Sequence, residues 1–326
     1  MLTFDAGARS THQEGMRKPR FKRVPPKSAL TMAPTMYEVL ELIYQFKALR
    51  SHHIAMHLPH RHARGLSHSL RLLFDHGLIE KRLCGLYEHD TYYLLPRGYE
   101  TLSGRDLPPR YLFLGGGLDI NLSREWDHSM MTIDLLSNLK AGADAAGIRL
   151  ISAEEIYANG EGDSPFIFPR KSVYTERKTK EIMPYTVVPD GVVGLEYQDS
   201  KRAFFALEAE HNKANSRFDD DDLRSKQNST RKKIKAYRDV DWRQVYARLG
   251  IGNMRVLIVA PTPKQIENKF QVARSVVAQS HLFLGHWMPV VQDSDVPILP
   301  DILDAPWLRI GLPPEQINAS SLRKRA

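Results

Sequence analysis

The sequence predicts an α/β chain of two folded units, a helical N-terminal unit closed by a hairpin and a larger C-terminal unit mixing helices and strands. Three observations predict it. With 326 residues, 42% hydrophobic and 26% charged, the chain can bury a sizeable core and suggests two domains. Apolar residues recur at helical spacing after residue 34 and then give way to two short strand-like runs. Beyond residue 128 helical and strand-like segments alternate.

Residues 1–33 hold Gly, Pro, Ser and basic residues with little periodicity and read as a flexible basic arm. TMYEVLELIYQFKAL, residues 35–49, reads as an amphipathic helix, with Thr35 as N-cap and Glu38 completing a capping box. Tyr37, Leu40, Ile43, Tyr44 and Leu49 supply its apolar stripe. Ser51 opens a short second helix that Pro59 stops. In the third helix, HARGLSHSLRLLFDHGLI, Leu66, Leu70, Leu73 and Ile79 would face inward, and Gly77 is placed to end it. Leu78–Leu83 and Tyr92–Leu95 form a hairpin around a polar tip at Glu88–Asp90, and a short helix begins near Tyr99.

Helix, helix, helix, hairpin, helix is the order of a winged helix-turn-helix domain, here assigned to residues 34–111. In that motif class the third helix enters the major groove of double-stranded DNA. His62, Arg64, Ser67, His68 and Arg71 hold its polar positions, and Arg82 lies where the wing could reach the backbone. Arg can read guanine bidentately, and the others can hold phosphate or base edges. Seven of the 13 histidines fall between His52 and His76. His53 and His57 have metal-ligand spacing but no matching carboxylate or thiol, so solvated histidines near phosphate are the better reading.

Net charge is +8, of which +5 lies in residues 1–33, +2 in 34–111 and +1 in the rest. A basic arm beside the DNA reader attracts phosphate and releases counterions. No run of about 18 apolar residues occurs, so no membrane span is expected. The single cysteine, Cys84, excludes a disulfide framework and fits a reducing cytoplasm.

Residues 112–127 read as a Gly-containing linker. A second unit over 128–290 then runs helix 128–147, strand IRLISAEEIY, a loop or hairpin insertion over 159–180, strand YTVVPDGVVGLEY, strand KRAFFALEAEH, a polar loop, helix 229–250, strand MRVLIVAP, helix KQIENKFQVARSVVAQ and a short strand near His281–Phe283. Residues 291–326 are left as a C-terminal extension. The order α-β-β-β-α-β resembles the core of the PD-(D/E)XK nuclease-like fold. Seventeen residues separate Asp190 on the second strand from Glu208 on the third, and Glu208 and Glu210 share one strand face. Such carboxylates suit Mg²⁺, which would activate water for phosphodiester hydrolysis. Glu154 or Glu155 could add a carboxylate. The place of the usual third-strand Lys holds Glu210, as in some restriction endonucleases of that fold; a migrated lysine, with Lys213, Lys232 and Lys233 as candidates, and a degenerate site that only binds DNA or protein are the alternatives. The acidic run Asp219–Asp222 reads as a solvated loop, and His128 as a structural residue at a helix start.

The PDG, LEAEH and KAY segments, with the WDH that precedes the first helix, resemble the plasmid replication-relaxation family, related to mobilisation accessory proteins. The resemblance covers residues 34–285 as scattered positions. It implies a DNA-binding accessory protein of plasmid or mobile-element replication, relaxation or mobilisation, which acts as a homodimer or with a replication or mobilisation partner. Two alternatives stand beside it. One is a non-catalytic transcription or replication regulator. The other is a metal-dependent endonuclease of a defence system.

Overall fold

A computed structural model describes residues 22–24, 28–82, 90–112, 126–158, 160, 168–175, 182–210, 230–288 and 301–318. The fold is mixed α/β, and among the described residues no helix is long and apolar enough to cross a membrane.

The N-terminal unit runs α1 (Pro34–Phe46), β1 (Ala48–Arg50), α2 (Ser51–His57), α3 (Ala63–Asp75), β2 (Ile79–Arg82), β3 (Thr91–Leu94) and α4 (Pro96–Leu102). The three strands form an antiparallel sheet in the order β1-β3-β2. The first helix differs from expectation at both ends. It starts with Pro34, whose preset φ and missing N–H suit a first helical position, and Ala33 gives no side-chain cap. Glu38 is not in a capping box; it pairs with Arg61. At the other end Lys47 takes φ 68°, and Leu49 pairs with Tyr92 as a strand residue. Gly77, at φ 71°, ends the turn after α3 as the sequence suggests.

The arm is not wholly free of the fold. Arg23 donates to the Phe74 and Ile79 carbonyls at 2.9 and 3.2 Å, and the Val24 N–H donates to Asp75 at 2.9 Å. Lys22–Val24 therefore lies against the end of α3.

The C-terminal elements are α5 (Trp126–Ala145), β4 (Arg149–Ile151), α6 (Ala153–Ala158), β5 (Phe168–Thr175), β6 (Ile182–Val187), β7 (Gly191–Glu196), β8 (Arg202–Ala209), α7 (Thr230–Arg238), α8 (Trp242–Leu249), β9 (Arg255–Ala260), α9 (Pro263–Arg274), β10 (Ser280–Trp287), β11 (Trp307–Ile310) and β12 (Leu312–Glu315). Among the described residues, seven strands form one sheet in the order β12-β11-β10-β9-β8-β7-β4. Strands β8, β9 and β10 are mutually parallel, and the other neighbours are antiparallel.

Four expectations change here. The segment IRLISAEEIY is a strand only to Ile151, because Ser152 and Glu155 form a reciprocal cap that starts α6. Glu154 and Glu155 are thus helical. The stretch 185–197 is divided between two strands: β6 pairs with β5 in a separate hairpin, and Pro189-Asp190 forms the corner before β7. Pro189 has no N–H for a ladder there. Helix 229–250 is divided, since the Asp241 side chain accepts from the Gln244 N–H and caps α8. Residues 301–318 are no appendage, because β11 and β12 extend the main sheet and bury Trp307 completely.

The sheet buries both faces. On β8, Phe205, Leu207 and Ala209 join a core that includes α5, whereas Phe204 and Ala206 join a core with α7, α8 and α9. The first core continues without a break into the N-terminal helices, from Val39 and Phe46 through Met131 and Leu135 to Leu257. Arg50 pairs with Asp134 on α5 at 3.1 Å, and His57 meets Ser137 at 2.9 Å. The two units share one interior.

Candidate functional site

Side-chain alternation along β8 places Glu208 on the Phe204–Ala206 face, toward α7 and α9, and Glu210 follows two residues later. A carboxylate among apolar neighbours requires compensation. It comes from α7, where Lys233 and Tyr237 lie one turn apart on the same face. The Lys233 ammonium bridges Glu208 Oε2 and Glu210 Oε1. The Tyr237 hydroxyl donates to Glu208 Oε1. From α9, Lys269 Nζ donates to Glu210 Oε2 at 2.9 Å and lies 3.4 Å from Thr230 Oγ1.

Asp190 enters from the corner before β7. Its N–H donates to the Leu207 carbonyl, and its Oδ2 accepts from the Ala209 N–H at 2.8 Å. His128, in the first turn of α5, places Nε2 3.1 Å from the same oxygen. The cluster thus gathers groups from α5, β7–β8, α7 and α9.

The environment sets unequal proton affinities. Burial pushes the Glu208 carboxyl up to about 7, opposed by Lys233 and reinforced by the Asp190 charge. Burial also works against ionisation of Glu210, but Lys233 and Lys269 outweigh it and hold that carboxyl at about 2. Burial opposes the charge on Lys233, yet Glu208 and Glu210 keep its ammonium protonated well beyond the usual range. The hydrogen bond that the His128 ring donates to the Asp190 carboxylate raises the proton affinity of His128, with desolvation opposing it.

Asp190, Glu208, Glu210 and Lys233 are therefore brought together. Lys213 and Asp219–Asp222 lie outside the described residues. Glu154 and Glu155 are elsewhere: Glu154 accepts from the Arg110 guanidinium at 2.8 Å, and Glu155 pairs with Arg149 at 2.6 Å. His128, read from the sequence as a structural residue at a helix start, meets the cluster through Asp190. Tyr237, Lys269 and Thr230 were missed. The Lys233/Tyr237 spacing was a visible signal, whereas nothing in the sequence of α9 singles out Lys269.

Hard oxygen donors suit Mg²⁺, and here they are engaged by groups of the protein itself. Both oxygens of Glu208 and both of Glu210 already meet protein donors, and the space between the two carboxylates is taken by an ammonium.

On the N-terminal unit, His62, Arg64, Ser67 and His68 are exposed at the start of α3, while Leu66, Leu70 and Leu73 are buried beneath them. The His62 Nδ1 accepts from the Arg64 N–H at 3.2 Å and caps the helix. Two further candidates are committed to packing. Arg71 pairs with Asp75 at 2.8 Å and donates to the Lys22 carbonyl at 2.9 Å. Arg82 stacks over Trp126 at 4.1 Å. His53 and His57 are not solvated: His53 is 2% exposed, and burial lowers His57 to about 4, so its imidazole is neutral at pH 7.

Comparison of the chain with protein-family models, with curated proteins and with solved structures found no match.

Proposed function

We propose that this protein is a DNA-binding accessory protein of plasmid or mobile-element replication, relaxation or mobilisation. Its N-terminal unit acts as a winged helix-turn-helix, and α3 is the element that docks on duplex DNA. One observation carries this reading: His62, Arg64, Ser67 and His68 are exposed together at the start of α3 while the opposite side of the helix is buried. That is the presentation a groove-reading helix needs. The basic excess of residues 1–33 supports it through phosphate attraction. The mobile-element role rests on the sequence resemblance alone. In this reading the C-terminal unit is a nuclease-like domain of the PD-(D/E)XK type, supported by the antiparallel β4-β7-β8 meander followed by parallel β9. The cytoplasm is its proposed location, and a homodimer or a replication protein its proposed partner.

Duplex binding of the full chain, followed by fluorescence anisotropy across a salt series, tests the proposal. Arg64→Ala should weaken binding and lower the salt slope by about one. An unchanged slope would remove α3 as the reader.

A second reading, phosphodiester cleavage assisted by Mg²⁺, is favoured by the convergence of Asp190 and Glu208 beside Lys233. It requires Lys233 to give up its carboxylate contacts. Plasmid cleavage by the wild type that is lost in Asp190→Ala would establish it.

A further inference from the structure

The acidic cluster is crowded with cations of its own. Asp190, Glu208 and Glu210 face the amines of Lys233 and Lys269, with His128 on Asp190 and the Tyr237 hydroxyl on Glu208. Lys233 is the central member, because its one ammonium serves both glutamates. The backbone N–H of Ala209 takes part of Asp190. Among the described residues, no group of three or more His, Cys, Asp or Glu is arranged to hold a metal ion.

We infer that Lys233 is the resident counter-cation of this cluster, standing where a divalent ion would otherwise be shared by Glu208 and Glu210. A divalent ion placed there would lie within a few ångströms of the ammonium, and like charges repel strongly at that range away from bulk water. Mg²⁺ also gives up its waters reluctantly, and one remaining carboxylate oxygen of Asp190 is a weak inducement. The cluster is thereby a protein-neutralised polar core that ties α7 and α9 to the C-terminal end of β8. Its charge balance is internal and independent of divalent cations.

The inference concerns the same cluster as the cleavage reading but not DNA binding, and its readout is independent of duplex affinity. The experiment is a Mn²⁺ titration of the full chain, with free Mn²⁺ followed by electron paramagnetic resonance, on wild type, Lys233→Met and Lys233→Arg. Wild type and Lys233→Arg should show no stoichiometric site tighter than about 1 mM. Lys233→Met should gain one Mn²⁺ per chain, held at least about tenfold tighter, and the added change Glu208→Gln should abolish it. Thermal unfolding of the wild type should not shift with EDTA or Mg²⁺. A micromolar site in the wild type that is lost in Glu208→Gln or Asp190→Asn would overturn the inference. A folded Lys233→Met that gains no Mn²⁺ would also overturn it. Should Lys233→Met fail to fold, the wild-type titration and its EDTA control decide alone.

Discussion

Lys233 on α7 and Glu208 on β8 are joined by a direct ion pair in which the carboxylate is 2% exposed and the ammonium is shared with Glu210. A pair so placed is worth more as an obligation than as a net gain, because each partner strands the other when it is removed. Lys233→Met should therefore destabilise the fold by about 3–5 kcal/mol. Tyr237→Phe, which removes one donor from Glu208, should cost about 1–3 kcal/mol. Urea unfolding midpoints at pH 7 check both, and values near wild type for Lys233→Met would mean that the pair does not form.

Acid should weaken the protein through His57. Burial holds its folded value at about 4 against an ordinary 6.5. The unfolded chain takes up this proton as pH falls below 6.5, whereas the folded chain resists until about 4. Stability from the neutral ring is complete above that window and is lost across it. By pH 5 the loss should be roughly 2 kcal/mol. Glu208 acts in the opposite sense, since its raised value favours the folded state as pH falls from about 7 toward 4.5. The clean measurement is the difference between wild type and His57→Gln at pH 7 and pH 5. The wild type should lose roughly 2 kcal/mol more than the variant.

Below pH 4.5 the sign belongs to Glu210. Its carboxyl is held at about 2, so its stabilisation is present above the ordinary 4.5 and is lost as pH falls toward 2. Glu210→Gln should flatten the acid limb of the stability curve in that range. A limb identical to wild type would contradict the pairing with Lys233 and Lys269.

The shared interior has its own consequence. Arg50 and Asp134 are both buried and join the N-terminal unit to α5. Asp134→Ala should cost about 3–5 kcal/mol by leaving the guanidinium unpaired. Unfolding should remain a single transition by tryptophan fluorescence and by circular dichroism. Two separated transitions would show that the units fold independently.

The sequence was most informative where local pattern and tertiary structure agree. The alternation in FFALEAE placed Glu208 and Glu210 on one strand face, and Lys233 stood among the candidate lysines. The helical stripe of α3 was visible in Leu66, Leu70 and Leu73. Other features depended on contacts that no spacing reveals. Lys269 comes from a helix 59 residues beyond Glu210, and Asp134 reaches Arg50 across 84 residues. A few signals were present but outweighed. Ser152 and Glu155 spell a capping box that the apolar run before them obscured. Arg71 and Asp75 have i, i+4 spacing that marks an ion pair as readily as a base reader. The linker assigned to residues 112–127 lies mostly outside the described residues, but the units on either side share one core.

Arg71 separates stability from recognition. Because it pairs with Asp75 and holds the Lys22 carbonyl, Arg71→Ala should lower stability by about 1 kcal/mol. Arg64→Ala, at an exposed position, should stay within about 0.5 kcal/mol of wild type. Thermal melts of the two variants check this order.

The most direct measurement is the affinity of the full chain for duplex DNA as a function of salt, compared between wild type and the double variant Arg64→Ala/His68→Ala. The expected result is a loss of about tenfold or more with a salt slope reduced by about one, at unchanged thermal stability. A double variant that binds duplex DNA with wild-type affinity and wild-type slope would contradict the assignment of α3 as the DNA-reading helix.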